Sequence, residues 1–302
     1  MGMTAFYGTP VDDEEGINVI GKALEAGINF LDTAWIYQDW GKTGKKNEVL
    51  VGKALERFGR DKFVVATKFG LAVGAEGMQA DSTEATMRKQ LEESLANLNT
   101  SYIDLYYQHR TDPKVPIEDV ARTLKKFVEE GKVKYIGLSE CTPDELRRAH
   151  SIHPVTAIQM EWSLQTRDLE NTVVPAAREL GVAIVAYSPL GRGLLTKKHT
   201  ATTELEAGDF RKNLPRFKEG LDKNAEAFER LSQIATRKGC TPAQLALAWV
   251  QHRGDDVFPI PGTRNPSRVA DNAAALSVKL TPEEINEISD AVPESDQPRY
   301  RA

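Results

Sequence analysis

Residues 28–37 read Ile-Asn-Phe-Leu-Asp-Thr-Ala-Trp-Ile-Tyr: an apolar run stops at Asp32, and a tyrosine follows at Tyr37. Three later stretches end in the same manner: Phe63-Val-Val-Ala-Thr-Lys68, Ile103-Asp-Leu-Tyr-Tyr-Gln-His109 and Val133-Lys-Tyr-Ile-Gly-Leu-Ser139. Each reads as a short buried strand whose last residue is polar or ionisable. In a parallel α/β barrel all such strand ends point to one face, where sites are built. Asp32, Tyr37, Lys68 and His109 are therefore expected to meet in space.

Outward from these strands the chain alternates. Helices are expected at 12–26, 47–57, from 81 to about 98, at 116–130, 143–150, 169–180, 222–238 and 242–252, interleaved with strands at 28–32, 63–68, 103–109, 133–139, 157–162, 182–188 and 257–261. Such alternation predicts a parallel sheet with crossover helices. Near-continuous apolar strands such as Val182-Ala-Ile-Val-Ala-Tyr187 indicate that both sheet faces are covered. Thr142-Pro-Asp-Glu145, Thr241-Pro-Ala-Gln244 and Thr281-Pro-Glu-Glu284 are one helix-start signature used three times. Asp81 with Glu84 reads as a further capping pair. From 191 to 221 the rhythm breaks into a polar, glycine-bearing segment, and 293–302 reads as a polar tail. A connection that long within a compact domain is usually functional.

The fold class expected is α/β, a (β/α)8 TIM barrel forming a single domain over 1–302. Only seven strands can be counted, and the residues before the first helix are too few to supply an eighth. A barrel with an absent stave exposes two sheet edges, which is unfavourable unless something covers them. The expectation is a sequence lacking its N-terminal hairpin and first strand, with the strand of Asp32 left without a full-length neighbour on the side of 257–261.

Composition narrows the function. Apolar residues make up 40% and charged residues 27% of the 302, an ordinary foldable mixture. A net charge of −5 gives no broad electrostatic reason to bind nucleic acid or an acidic membrane. No apolar run approaches the roughly 18–20 residues that span a bilayer. The start, Met-Gly-Met-Thr-Ala-Phe, suits neither a signal peptide nor, with Phe6 at position six, myristoylation. Cys141 and Cys240 make no disulfide framework and no metal-ligand cluster. A cytoplasmic, monomeric protein acting on a small molecule is the reading that fits.

The four strand-end residues suit one chemistry. A tyrosine, with pKa of about 10, is a poor acid at neutral pH. A lysine ammonium within about 4–6 Å favours a phenolate and so eases proton loss. Burying that lysine is costly without a counter-charge, which Asp32 supplies. His109 can bond the oxygen of a carbonyl substrate and fix its orientation while Tyr37 gives the proton. Taken singly, each has a duller reading: a turn-capping aspartate, a solvated lysine, a hydrogen-bonded core histidine, a packed tyrosine. Their coincidence at successive strand ends favours the mechanism.

Leu-Asp-Thr-Ala-x-x-Tyr at 31–37, Ala-Thr-Lys at 66–68, Asp-Leu-Tyr-Tyr-Gln-His at 104–109, Ala-Tyr-Ser-Pro-Leu-Gly at 186–191 and Ile-Pro-Gly-Thr at 260–263 together resemble the aldo-keto reductases. Tyr-Tyr-Gln-His-Arg110 and Leu-Ser-Glu140 look most like the branch of plant perakine reductase and auxin-induced-type proteins. The resemblance implies NADPH-dependent reduction of aldehydes or ketones, with Tyr37 as general acid, Asp32 and Lys68 as its tuning pair and His109 as the orienting group. It assigns Ser139 and Gln159 to the nicotinamide amide and the ring of Tyr187 to stacking on it. Ser188, Leu190 and Arg192 open the segment expected to cover the pyrophosphate. Gly262, Thr263 and Arg264 lead into a helix capped by Asn265, whose N-terminus favours a phosphate. Arg264 and Arg268 suit a 2′-phosphate, and Asn272 the adenine. Glu140 departs from the Asn of many members: it can accept from an amide but not donate unless protonated. Tyr7, Trp35, Trp40 and Trp162 are the aromatic candidates for a substrate pocket. Two rivals share parts of this pattern: the potassium-channel β-subunits, where the barrel is an interaction module, and a Schiff-base aldolase using Lys68.

Overall fold

The computed structural model describes residues 1–40, 43–74, 77–197, 204–218 and 221–295. In chain order the strands are β1 (Phe30–Asp32), β2 (Val64–Phe69), β3 (Leu71–Gly74), β4 (Gly77–Ala80), β5 (Ile103–Gln108), β6 (Val133–Ser139), β7 (Val155–Glu161), β8 (Ala183–Tyr187) and β9 (Val257–Pro259). The helices are α1 (Asp13–Glu25), α2 (Asn47–Phe58), α3 (Glu84–Leu98), α4 (Ile117–Glu129), α5 (Pro143–Ile152), α6 (Val173–Glu179), α7 (Leu221–Lys238), α8 (Pro242–Gln251), α9 (Pro266–Ala274) and α10 (Pro282–Ala291). All strands but β3 and β4 form one parallel sheet in the order β1-β2-β5-β6-β7-β8-β9. Its curl is measurable from one bond. Gln159 on β7 donates to Asp32 on β1 at 2.7 Å, whereas four steps of about 4.8 Å across a flat sheet would separate them by about 19 Å.

Two apolar layers follow from the curl. The larger fills the space between sheet and helices, with Val65, Tyr106, Ile136, Ile158 and Ile184 meeting Leu91, Leu124, Leu146 and Trp249. The smaller lies on the inner face: Ala66, Leu105, Tyr107, Ala157 and Val185, with Phe30, Ala183 and Ile260 against them. Strand side chains alternate with period two. Two residues beyond Ala66, Tyr107, Gly137, Ala157 and Val185 the same inner face therefore carries Lys68, His109, Ser139, Gln159 and Tyr187. The α/β barrel expected from the alternation is the observed fold.

Among the described residues β1 and β9 are not paired with each other, and the inner face is open at its amino-terminal end. Val64, Tyr135 and Phe258 are consequently 42, 56 and 50% exposed although they belong to the inner rows. Residues 1–11 run as turns beside β1, held by Val11 N–H to the Met3 carbonyl at 2.8 Å and by the terminal ammonium to Asn47 Oδ1 at 3.4 Å. Below the site, Asp104 ties three strands, accepting from Arg60 at 2.6 Å, Val65 N–H at 2.9 Å and Lys134 at 3.0 Å. No helix among the described residues is long and apolar enough to cross a membrane.

Local signals behaved unevenly. All three Thr-Pro-x-Glu/Gln signatures form reciprocal capping boxes, at α5, α8 and α10. The cap of α3 is Thr83 rather than Asp81; Asp81 instead accepts from the Thr83 and Thr86 hydroxyls at 2.8 and 2.7 Å and braces that turn from outside. The antiparallel hairpin β3–β4 was not expected, since it is short and much of it, including Val73 and Met78, faces solvent. The helix expected over 169–180 is divided: a short turn at Asp168–Asn171 precedes α6, with Thr172 at φ −120°, ψ −90° between them. The described parts of 191–221 are not a bare loop. They hold helical turns at Gly191–Gly193, Phe210–Asn213 and Pro215–Phe217 around their own cluster of Leu194, Leu214 and Phe217. Most of the tail expected at 293–302, from 296 onward, lies outside the described residues.

Gly137 sits opposite Tyr107 and Ala157 in the ladder. A Cβ there would lie 2.9 Å from the Ala157 carbonyl oxygen and collide with the Tyr107 ring. Gly137→Ala should therefore destabilise the fold by about 1–3 kcal/mol, the usual effect of overpacking. Urea unfolding of the two proteins measures it; an unchanged midpoint would show that the inner layer has room to spare.

Candidate active site

The β1–β2 pairing sets the first element of the site. Lys68 Nζ lies 2.5 Å from Asp32 Oδ1 and donates to the Thr33 carbonyl at 2.8 Å, with its side chain fully buried. The second oxygen of Asp32 accepts from Gln159 Nε2. A carboxylate can only accept, so the amide nitrogen of Gln159 must face it, leaving Gln159 Oε1 as the atom open to a ligand. Thr33 is fixed on both sides: its N–H reaches the Ala66 carbonyl at 2.9 Å and its hydroxyl donates to Asn47 Oδ1 at 2.9 Å.

Tyr37 follows in the turn after β1, where Asn47 N–H donates to its carbonyl at 2.8 Å. Its ring centroid is 5.3 Å from Lys68 Nζ and 5.7 Å from the His109 ring, which meets it edge-on at 80°. His109 is buried, and its Nδ1 has no partner among the described residues. Burial, with Arg110 and Lys68 adding to it, holds the imidazole well below its ordinary pKa. The ring is therefore neutral and offers one N–H. The structure thus brings Asp32, Tyr37, Lys68 and His109 together.

The residues assigned to a cofactor line the neighbouring strand ends. Ser139 is buried at the end of β6, opposite Gln159 in the ladder and 3.5 Å from Arg110 Nη1. Tyr187, half-buried at the end of β8, has a hydroxyl without a partner among the described residues. Burial, and then Glu140 and Glu161, push that phenol well above its ordinary range, so it stays neutral. Ser188, Gly191, Arg192 and Gly193 all have positive φ (51, 56, 56 and 103°), so the backbone after β8 doubles back tightly beside Leu190. Gly262 is exposed just beyond β9, and Thr263 Oγ1 accepts from Asn265 N–H at 3.0 Å. Asn265 caps α9 through Ser267 N–H at 3.0 Å. Arg268 is exposed and Asn272 half-buried, one turn apart on α9. Arg264 is already engaged, donating to the Thr9 carbonyl and to Glu206, each at 2.9 Å. A half-buried aromatic whose hydroxyl has no partner among the described residues, an oriented amide acceptor and a capped helix N-terminus with an exposed arginine together fit a dinucleotide.

The aromatic candidates divide. Tyr7 packs edge-on against Phe210 at 5.0 Å, beneath the Arg211 guanidinium at 5.1 Å. Trp35 and Trp40 face each other at 5.8 Å; Trp35 Nε1 donates to Glu93 at 2.6 Å, and Trp40 is largely exposed. Trp162 departs from its expected place in a substrate pocket. It is 1% exposed, belongs to the main core and donates Nε1 to Glu170 at 2.9 Å, so packing consumes it.

Glu140, singled out in the sequence, takes a contact the sequence did not show, and Glu161 had no sequence signal at all. Glu140 adopts φ 54°, and its Oε1 accepts the Glu161 N–H at 3.0 Å, turning its side chain onto β7. Glu161 is buried between Arg192 and Arg216, partners far away in sequence. Although burial opposes the charge, the Glu161 carboxylate holds the Arg192 guanidinium above its ordinary pKa.

Comparison with known proteins agrees with this geometry. A family model described as the aldo/keto reductase family matches residues 1–293. A probable aldo-keto reductase 1 of Glycine max is 49% identical over 298 residues, 98% of this chain and 84% of that protein. The solved structure of a glycerol dehydrogenase from Gluconobacter oxydans superposes with a TM-score of 0.86 at 32% identity, covering 100% of this chain and 93% of the other. A thermostable aldo-keto reductase solved with the inhibitor epalrestat gives a TM-score of 0.74 at 26% identity, covering 95% and 93%.

The neutral, buried His109 has a consequence for stability. Its folded pKa lies below the unfolded value near 6.5, so below that pH the unfolded chain binds the proton and the folded one does not. Stability should fall as the pH drops from about 6.5, by up to about 1.4 kcal/mol per unit for one proton. His109→Gln should flatten this slope, as urea unfolding between pH 7.5 and 5.5 would reveal. Identical slopes in both proteins would mean that the imidazole is not held neutral.

Proposed function

The chain belongs to the aldo/keto reductase family, a family of oxidoreductases acting on carbonyl groups with nicotinamide cofactors, and from that premise we propose that it reduces aldehydes or ketones to alcohols with NADPH, Tyr37 acting as the general acid. The observation that carries this reading is the Asp32–Lys68 pair at 2.5 Å with the Tyr37 ring 5.3 Å from the ammonium and neutral His109 at its edge. NADPH, when bound, supplies the hydride. The chain's own residues supply the proton and the orientation. A neutral imidazole is a weak acid, so His109 donates a hydrogen bond to the carbonyl oxygen while Tyr37 gives up its proton. The Lys68 ammonium stabilises the phenolate left behind, and Asp32 keeps that ammonium charged in a buried place.

Gln159 Oε1 and the Ser139 hydroxyl would hold the nicotinamide amide, and the Tyr187 ring would stack on it. Arg192, with Ser188 and Leu190, would meet the pyrophosphate. The α9 N-terminus, with Gly262, Thr263 and Arg268, would hold the 2′-phosphate; Arg264 would contribute from its place beside Glu206, and Asn272 would contact the adenine. Tyr7, Trp35 and Trp40 would border the carbonyl substrate. One barrel domain performs all of this; the 49% identity to a plant aldo-keto reductase supports the family, and the branch rests on Tyr-Tyr-Gln-His-Arg110 and Leu-Ser-Glu140 alone. Schiff-base chemistry at Lys68 fits poorly, since such a lysine needs a free amine, and this one donates to a carboxylate and a carbonyl.

Tyr37→Phe should lower carbonyl turnover about 10²-fold or more, because only the transferable proton is lost. NADPH binding, followed by fluorescence, should be nearly unchanged; a variant keeping more than about a tenth of wild-type turnover would remove Tyr37 from the role of acid.

Arg268→Ala should weaken NADPH about tenfold or more while leaving NADH nearly unaffected, because only NADPH carries the 2′-phosphate. Titration of both cofactors decides the matter, and equal weakening would contradict the assignment.

A further inference from the structure

Glu161, the last residue of β7, is assigned above neither to proton transfer nor to cofactor contact, yet its side chain is only 1% exposed and carries two ion pairs. Arg192 Nη2 lies 3.0 Å from its Oε2 and Arg216 Nη1 3.4 Å from its Oε1. Thr166 Oγ1 also donates to Oε1 at 3.5 Å while accepting from Arg216 Nη1 at 2.9 Å. The two arginines come from opposite ends of one segment. Arg192 lies in the turn that opens it after β8, and Arg216 in the turn Pro215–Phe217 shortly before α7. Buried charges are stable only when paired, so the carboxylate holds both ends to one point on the sheet.

Contacts continue from that point to the proton donor. Arg211 Nη1 donates to the Arg192 carbonyl at 3.0 Å, and the Arg192 guanidinium lies over the Phe210 ring at 5.4 Å. Phe210 meets Tyr7 at 5.0 Å and Phe6 at 6.3 Å, and Phe6 meets Tyr37 edge-on at 6.3 Å. Phe210 N–H also donates to the Phe6 carbonyl at 2.9 Å.

We propose that Glu161 is a positioning residue that clasps Arg192 and Arg216, in the turns Gly191–Gly193 and Pro215–Phe217, against β7 and thereby sets how firmly the cofactor is retained. The proposal rests on the reading that this site takes NADPH. Its first consequence needs no cofactor. In Glu161→Gln the side chain keeps its size but loses its charge, and both guanidinium groups lose this ion pair. Limited trypsin digestion of the cofactor-free protein should then cut after Arg211 and Lys212 about tenfold faster than in wild type. In the second measurement, NADPH release by stopped-flow fluorescence should also be about tenfold faster, with KM for NADPH raised and kcat not lowered. A merely structural defect would instead lower kcat through loss of active protein and leave KM alone.

Digestion and release rates equal to wild type would overturn the clasp. If wild type binds no NADPH, the cofactor reading fails, and the digestion alone decides whether Glu161 holds the segment. Should Glu161→Gln not fold, Arg216→Met removes one arm and keeps the Arg192 pair. Several-fold faster cutting after Arg211 and Lys212 supports the clasp in that variant, and unchanged cutting overturns it.

Discussion

The buried ammonium of Lys68 is the constraint around which the carboxyl end of the barrel is arranged. An unpaired charge at that depth would be untenable, and removing one partner of such a pair typically costs about 3–5 kcal/mol. The local structure answers this one requirement repeatedly. Asp32, opposite Ala66 in the first ladder, meets the Lys68 ammonium from two residues further along β2, and Thr33 turns its carbonyl to the same ammonium. Gln159 reaches across the curl to occupy the second carboxylate oxygen. The carboxylate is thereby held by two strands that do not adjoin, so the pair also reports that the sheet is closed enough to bring them together.

Around this fixed charge the backbone carries its strain. Of the five non-glycine residues with positive φ among the described residues, Asn99 ends helix α3, whereas Phe6, Glu140, Ser188 and Arg192 all border the site. Left-handed conformations cost about 1–3 kcal/mol for such residues and persist only where surrounding contacts over-determine them. Those contacts are visible here: Glu140 is held by the β7 backbone, Arg192 by Glu161, and Phe6 by Phe210. The stable apolar layer below supplies the free energy, and the rim spends it on turns that aim side chains inward.

What could be read from the sequence follows the range of each interaction. Parallel strands buried on both faces leave near-continuous apolar runs, so β2, β5, β6 and β8 were legible, and with them the strand ends that carry Asp32, Lys68 and His109. The three Thr-Pro capping boxes, each contained within four residues, were equally plain, whereas the Asp81–Glu84 pair was misread, since Thr83 caps α3, and the box of Asp12 with Glu15 went unread. The β3–β4 hairpin left no such trace because little of it is buried. Trp162 was misplaced because an indole in the core and one in a pocket look alike until Glu170 is seen beside its nitrogen. Glu161 carried no signal, since a glutamate at a strand end gains meaning only from Arg192 and Arg216, which its own neighbourhood in sequence does not contain. Arg264 resembled a free phosphate ligand for the same reason; Glu206, its partner, lies in a different segment.

The two halves of the site consequently differ in what holds them. Asp32, Lys68 and His109 stand on or just beyond β1, β2 and β5, three consecutive strands of the ladder, so register alone fixes their mutual geometry. The open gap between β1 and β9 does not disturb that arrangement, because none of these side chains depends on a bond across it. The side proposed for the cofactor has no such guarantee. It is assembled from the ends of β6 to β9, from α9 and from the long segment after β8, elements joined mainly by side chains. Its precision must come from ion pairs such as Glu161 with Arg192 and Arg216, and Glu206 with Arg264. In the function proposed, a division of this kind would keep Asp32, Lys68 and His109 rigid while the surface facing a large ligand is held by contacts that can be exchanged one at a time.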